Sequence, residues 1–257
     1  MIKIENTEVM GWEAAIRGMR NPMNSWEKSD SDYRLILCGR CDECEAFMKE
    51  EWEECDNCEV EKLKSKHEGF MIGPNDLDLM NRLCKAGTDH RKFMRMITVY
   101  LDITAPLYWW KEFDTYKIGT VANSCSTMHK IHAKEFTLDD FSCEHLFDDY
   151  SMEDELTYTD NGIDQYCYTS NDALETILDV LNHHRTMFLE TKDKKYWWQM
   201  IQLLPSSYNQ KRSVMLNYEV LANIYHSRKN HKLDEWRTFC EFIETLPYSE
   251  LVTDKTT

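Results

Sequence analysis

Apolar residues recur along this chain with two different periods. Trp12, Ala15, Ile16 and Met19 have the three-to-four spacing of an amphipathic helix, which Asn21-Pro22 ends. The stretch GPNDLDLMNRLCKAG predicts a second helix opened by Pro74 or Asn75. Its inner face is Leu77, Met80, Leu83 and Cys84, and Gly87 closes it. The period then changes to two: Ile97, Val99, Leu101 and Ile103 alternate with Thr98, Tyr100 and Asp102, the pattern of a half-buried strand. Pro106 suits the start of the aromatic helix that follows, where Leu107, Trp110 and Phe113 or Asp114 share a face until Gly119 interrupts it.

The second half of the chain reads mostly as helix. A polar tract from Asp114 to Ile131 is expected to be a loop, and residues 134–161 are acidic and mostly irregular. The run SNDALETILDVLNHHRTMFLE predicts a helix capped by Ser170 or Asn171, with Leu174, Ile177, Leu178 and Leu181 inward. KKYWWQMIQLL is a further helix ending at Pro205, KRSVMLNY a strand, and EVLANIYHSRKN and KLDEWRTFCEFIETL two more helices. No internal repeat is visible.

Composition narrows the function classes. At 257 residues the chain suits one α/β or α+β domain plus an insertion, and 42% hydrophobic residues are enough for a sizeable core. The formal charge is −16, from 30 basic and 46 acidic residues, which argues against nucleic acid as a partner. The first twenty residues lack a secretory signal pattern, and no apolar run is long enough to span a bilayer. A soluble cytoplasmic protein with reduced cysteines is the expectation.

The ten cysteines are unevenly spread. Cys38, Cys41, Cys44, Cys55 and Cys58 form overlapping C-x2-C pairs inside a Cys-, Glu- and Lys-rich stretch that reads as an inserted lobe over residues 34–66. Paired C-x2-C turns supply the four thiolates of a structural zinc site. Cys41, Cys44, Cys55 and Cys58 make the preferred set, with Cys38 a fifth candidate; a reduced, cysteine-rich acidic surface lobe is the alternative.

Two further constellations carry candidate chemistry. In the polar tract, Lys117 can neutralise a phosphate, and Thr120, Asn123, Ser124, Ser126 and Thr127 surround the flexible Gly119. Near the C-terminus, Asn217 and Arg228 are eleven residues apart and so lie on one side of a helix that also carries Asn223. An arginine with amide neighbours can clamp a phosphate or a pyrimidine, whereas a solvated helix with a capping asparagine explains the same residues without a ligand.

Taken in order, GMR, DHRKF, DITAP, YWWKEF, LLPSSYNQ and NYEVLANIYHSRKNHKLDEW resemble the motif succession of the flavin-dependent thymidylate synthases. The resemblance covers residues 10–21 and 73–245 and omits the cysteine stretch. It implies an α+β fold with a mainly antiparallel sheet flanked by helices, here one domain over residues 1–257 with the small Cys-rich lobe inserted. It implies FAD as cofactor, with NADPH and methylenetetrahydrofolate as co-substrates, dUMP methylated to dTMP, and a homotetramer whose sites are shared between subunits. The alternative on the same scaffold is a protein that binds another nucleotide, or a non-catalytic interaction protein.

Position by position, the resemblance assigns His90, Lys117, Asn123, Asn217 and Asn223 to the flavin site. It assigns Arg228 and Ser126 to the nucleotide and its chemistry. The tract also departs from the family signature. Thr115, Tyr116, Ser124 and Met128-His129 stand where the signature has Arg, His, Glu and Arg-Tyr, and an apolar residue near Ile201 replaces an arginine. At least three phosphate-facing cations are therefore absent, with His129, Lys130, Lys211 and Arg212 as candidate substitutes.

Overall fold

The computed structural model describes residues 2–35, 68–148, 156–160 and 163–253. Its centre is a four-stranded, wholly antiparallel sheet in the order β1-β4-β8-β5. Strand β1 spans Lys3–Met10, β4 Thr98–Pro106, β5 Val121–Ser124 and β8 Asn209–Asn217. Two antiparallel pairs stand apart: β2 (Asp32–Leu35) with β3 (Glu68–Met71), and β6 (Leu156–Asp160) with β7 (Ile163–Tyr168). The helices are α1 (Trp12–Arg20), α2 (Pro74–Lys85), α3 (Leu107–Phe113), α4 (Thr127–Lys130), α5 (Ser170–Thr191), α6 (Lys194–Leu203), α7 (Tyr218–Arg228), α8 (Asp234–Glu244) and α9 (Glu250–Thr253). This is the expected α+β class.

Alternation explains which face of the sheet is covered. Val99, Leu101 and Ile103 of β4 and Val214 and Leu216 of β8 point inward, onto Trp109, Trp110 and Phe113 of α3 and onto α1, α7 and α8. Trp109 is fully buried, its ring 4.7 Å from that of Trp236 and 4.9 Å from that of Trp110. A second cluster joins Leu174, Leu178 and Leu181 of α5 to Met200 of α6 and Ile131, Phe136 and Phe141.

Strand β1 shows why simple alternation can miss a strand. Ile4 and Val9 are an odd number of residues apart, so a regular strand would aim them at opposite faces. A bulge between Glu5 and Glu8 inserts one residue, with Asn6 at φ 53°, so both pack against the core. Asn6 also joins a polar clasp on the open face. Asp102 of β4 accepts from Ser213 Oγ at 2.6 Å and Asn6 Nδ2 at 2.9 Å, and lies 3.2 Å from Lys211 Nζ, tying three strands together.

The hydrogen bonds from Ser213, then Asn6 and Lys211, hold the Asp102 carboxyl down to about 2. A depressed carboxyl contributes stability above its unfolded value and loses it on protonation in the fold. The Asp102 contribution is therefore present near neutrality and lost as the pH falls from about 4 towards about 2. Asp102→Asn is expected to flatten this part of the acid limb in urea titrations between pH 2 and 5. An acid limb identical to that of the parent protein would refute this.

The structure corrects several sequence expectations. Helix α5 is capped by Thr169 in a reciprocal box with Asp172, not by Ser170 or Asn171. The tract expected to be all loop contains the exposed edge strand β5 and the short helix α4. Within residues 134–161 a 3-10 turn at Leu138–Asp140 precedes strand β6, and β7 follows it. The proposed zinc ligands Cys38, Cys41, Cys44, Cys55 and Cys58 lie outside the described residues. Among the described residues no helix is long and apolar enough to cross a membrane, and no group of three or more His, Cys, Asp or Glu residues is placed to hold a metal ion.

Candidate functional site

The sequence-predicted residues fall into three groups in a single chain. The first surrounds the start of α7. Asn217 ends β8 and caps this helix, its Oδ1 accepting from Val220 N at 3.0 Å. Gly119 lies directly against it: with φ +81°, a Cβ there would come within 2.7 Å of Asn217 Nδ2. This contact brings the Lys117 segment to the helix end. Arg91 Nη2 donates to Glu219 Oε1 at 3.2 Å, and Arg91 Nε lies 3.0 Å from Oε2, so the segment carrying His90 reaches the same first turn. His90 and Lys117 are both exposed.

Two cations, His90 excluded, approach this end of α7: Lys117 on one adjoining segment and Arg91 on the other. Lys117 and His90 lie on the segments that reach this end of the eleven-residue helix, where Tyr218 N already donates to Ile97 O and Glu219 is tied to Arg91. In the adjoining loop Thr120 Oγ1 is shielded and has no hydrogen-bond partner among the described residues. Asn123 lies opposite Ser213 on the edge of the sheet, and Asn223 is exposed on α7.

The second group is the far end of the tract. After β5, Cys125 N donates to Lys211 O at 2.9 Å, extending the edge pairing by one bond. Gln210 Nε2 then holds the turn, donating to Cys125 O and Thr127 Oγ1, both at 3.0 Å. Ser126 caps α4, accepting from His129 N at 3.1 Å. These residues border a cleft of about 240 Å³ whose lining includes Ser126, Thr127, Lys130, Lys134, Tyr208 and Lys211. Lys134 pairs with Asp140, and Lys211 with Asp102 and Glu5. Among the described residues Lys130 pairs with no carboxylate. Burial pushes the Tyr208 phenol up, and nearby Asp140 adds to this.

The third group is built on Arg228, and its neighbours are not the amides the sequence suggested. Asn217 sits eleven residues away at the opposite end of α7, roughly 16 Å along the axis. Arg228 instead donates from Nη1 to Glu112 Oε2 at 2.7 Å and from Nε to Tyr116 Oη at 3.0 Å. Its guanidinium lies 4.7 Å from the Trp236 ring centre and 5.8 Å from that of Tyr116. Trp236 Nε1 donates to the same Glu112 oxygen at 2.9 Å, and His231 Nε2 is 3.5 Å from it.

Sequence reasoning missed Glu112, His231 and Trp236. The only local hint was a glutamate ending the otherwise aromatic YWWKEF. Tyr116, a position where the tract departs from the family signature, is the one that touches Arg228. Of the candidate substitute cations, Arg212 is occupied as well: Nη1 donates to Asp114 at 2.7 Å, and the guanidinium sits 4.1 Å over Trp110.

No protein-family model matches the chain, and no curated protein matches it. Solved structures do. Flavin-dependent thymidylate synthase ThyX from Helicobacter pylori, complexed with FAD and dUMP, aligns over 99% of this chain and 100% of its own, with TM-score 0.59 at 14% identity. A second Helicobacter pylori ThyX structure with FAD and dUMP covers 98% of this chain and 97% of its own, with TM-score 0.58 at 15% identity. The UMP/dUMP methylase PolB from Streptomyces cacaoi, bound with 5-Br dUMP, covers 95% and 89%, with TM-score 0.50 at 12% identity. The chain has the ThyX-like fold, over nearly its whole length.

Proposed function

We propose that the chain binds a pyrimidine nucleoside 5′-monophosphate and FAD, and catalyses reductive one-carbon transfer to the pyrimidine ring. Methylenetetrahydrofolate is the proposed one-carbon donor and NADPH the reductant. Fold alone does not fix function. The observation that carries this reading is the cleft beside the tract, where Ser126 and Thr127 meet Lys130, a lysine with no carboxylate partner among the described residues, in the part of the chain that resembles the family signature.

In this reading the nucleotide phosphate sits in that cleft, held by Lys130 and the two hydroxyls. His90, Lys117 and Asn217 hold the FAD diphosphate at the start of α7, and Asn123 and Asn223 contribute carboxamide contacts. Bound FAD supplies the hydride that completes the transferred group. Arg228 and Glu112 orient the ring. The three groups are separated in one chain, so the reading includes a homotetramer in which they meet across subunits.

One observation favours a second reading, a protein that holds a nucleotide without turnover: Arg228 is already paired with Glu112. The test is spectroscopic. Purified protein incubated with FAD is expected to elute with flavin absorption at the mass of a tetramer. With oxygen excluded, the reduced flavin is expected to reoxidise only when nucleotide and methylenetetrahydrofolate are added. A colourless protein that leaves added FAD unbound overturns the proposal; bound flavin without nucleotide-dependent reoxidation selects the second reading.

A further inference from the structure

We infer that the ring held at Arg228 is cytosine rather than uracil, with Glu112 reading its exocyclic amino group; this rests on the nucleotide-binding reading above. Part of the pair remains free. Oε2 of Glu112 is taken up by Arg228 and Trp236. Nε of Arg228 is taken up by Tyr116, and one Nη1 hydrogen by Glu112. Among the described residues, Glu112 Oε1 and Arg228 Nη2 have no hydrogen-bond partner. Both side chains remain reachable, at 35% and 19% exposure.

The neighbours fix this arrangement. His231 Nδ1 accepts from Leu233 N at 3.2 Å, which assigns the imidazole proton to Nε2, on the side of Glu112. The Trp236 ring, its centre 4.7 Å from the guanidinium carbon, covers one side of Arg228. A carboxylate can only accept and a guanidinium can only donate. The pair therefore offers one acceptor followed by a fork of donors.

The two pyrimidines answer that pattern differently. The edge of cytosine presents a donor at its amino group, then acceptors at N3 and O2. It meets the carboxylate and the guanidinium fork with three complementary contacts. The edge of uracil presents acceptor, donor, acceptor. If its N3–H meets Glu112 and one carbonyl meets Arg228, the other carbonyl is turned towards the carboxylate. A polar edge matched to the wrong partner loses a hydrogen bond and keeps its desolvation cost. Glu112 also cancels the charge of Arg228, so the pair gives little support to negative charge building on a uracil ring.

Titration calorimetry of the full-length protein with dCMP and with dUMP tests this, using the parent chain and Glu112→Gln. The parent protein is expected to bind dCMP about tenfold or more tightly than dUMP, the scale of one matched base contact. Glu112→Gln is expected to bring the two within about threefold, because a carboxamide turns either its donor or its acceptor to the ring. Thermal unfolding of the variant, read alongside, verifies that it is folded. If the parent protein binds dUMP as tightly as dCMP or tighter, or if the preference survives Glu112→Gln, the inference falls and nucleotide binding stands. If it binds neither nucleotide, the nucleotide-binding reading falls and takes the inference with it.

Discussion

Asp76→Ala is expected to cost about 3–5 kcal/mol of folding stability, the scale of a buried ion pair broken on one side. Asp76 has no exposed surface, and its partner Arg20 is almost as deeply buried. One carboxylate oxygen accepts from Arg20 Nε at 2.6 Å. The other accepts from Ser29 Oγ at 2.7 Å, Ser31 Oγ at 2.6 Å and Asp30 N at 3.2 Å. Arg20 also reaches the carbonyls of Ser25 and Lys28, at 3.1 and 3.0 Å. The pair thus fastens the segment after α1 to the first turn of α2. Asp30 closes the arrangement by accepting from the backbone N–H groups of Asn75 and Asp76.

Removing the carboxylate leaves a guanidinium in the interior without a counter-charge, and two hydroxyls without their acceptor. Urea unfolding checks the cost: the midpoint should fall while the slope is unchanged. A loss below about 1 kcal/mol, the scale of an exposed pair, would refute it. Replacing both partners, as Arg20→Met with Asp76→Leu, should recover much of the loss, because no charge is then stranded. Burial by itself would raise the Asp76 carboxyl, but the hydrogen bonds from Ser31, Ser29 and Arg20 outweigh it and hold the group below the usual carboxylate range. Its contribution is therefore present at neutral pH and lost on acidification.

This clasp marks the boundary of what the sequence could convey. The faces of α1, α2 and α5, and the alternation of β4, were legible because one side of each meets a core and the other meets water. Strand β1 was not, since its bulge breaks the period of two. Strand β5 was not either: all four of its residues are exposed, and it is held by backbone pairing to β8 rather than by an apolar face. The β6–β7 pair had a local signal in Asn161-Gly162 between two β-rich runs, which the surrounding acidic residues obscured.

The candidate site was legible only as residue types. Helical spacing put Asn217 and Arg228 on one side of a helix; Arg228 is the last residue of α7, whereas Asn217 ends β8 in extended conformation and only caps that helix. Spacing carries no information about Glu112, 116 positions from Arg228, or about Tyr116, which faces Arg228 because α3 and α7 share a core. A motif can nominate an arginine, but the partners of that arginine are decided by the side chains that the tertiary fold delivers to it.

That dependence makes Arg228→Ala the sharpest test of the proposed nucleotide site. The substitution is expected to weaken nucleotide binding at least about a hundredfold, equivalent to roughly 2.7 kcal/mol. It deletes the donors aimed at the ring and also leaves Glu112 without its cation. The remaining carboxylate then repels both a ring carbonyl and the approaching phosphate dianion. Stability should fall far less, by about 1 kcal/mol, since Glu112 is partly solvated and keeps its hydrogen bond from Trp236. Arg228→Lys should fall between the two, because an ammonium keeps the charge but cannot serve Tyr116, Glu112 and a ligand in one plane. Calorimetric titration with dCMP and dUMP, paired with thermal unfolding, separates lost recognition from lost folding. Unchanged nucleotide affinity in a folded Arg228→Ala protein would remove Arg228 from the site, because no other described lysine or arginine pairs with Glu112 to take over its role.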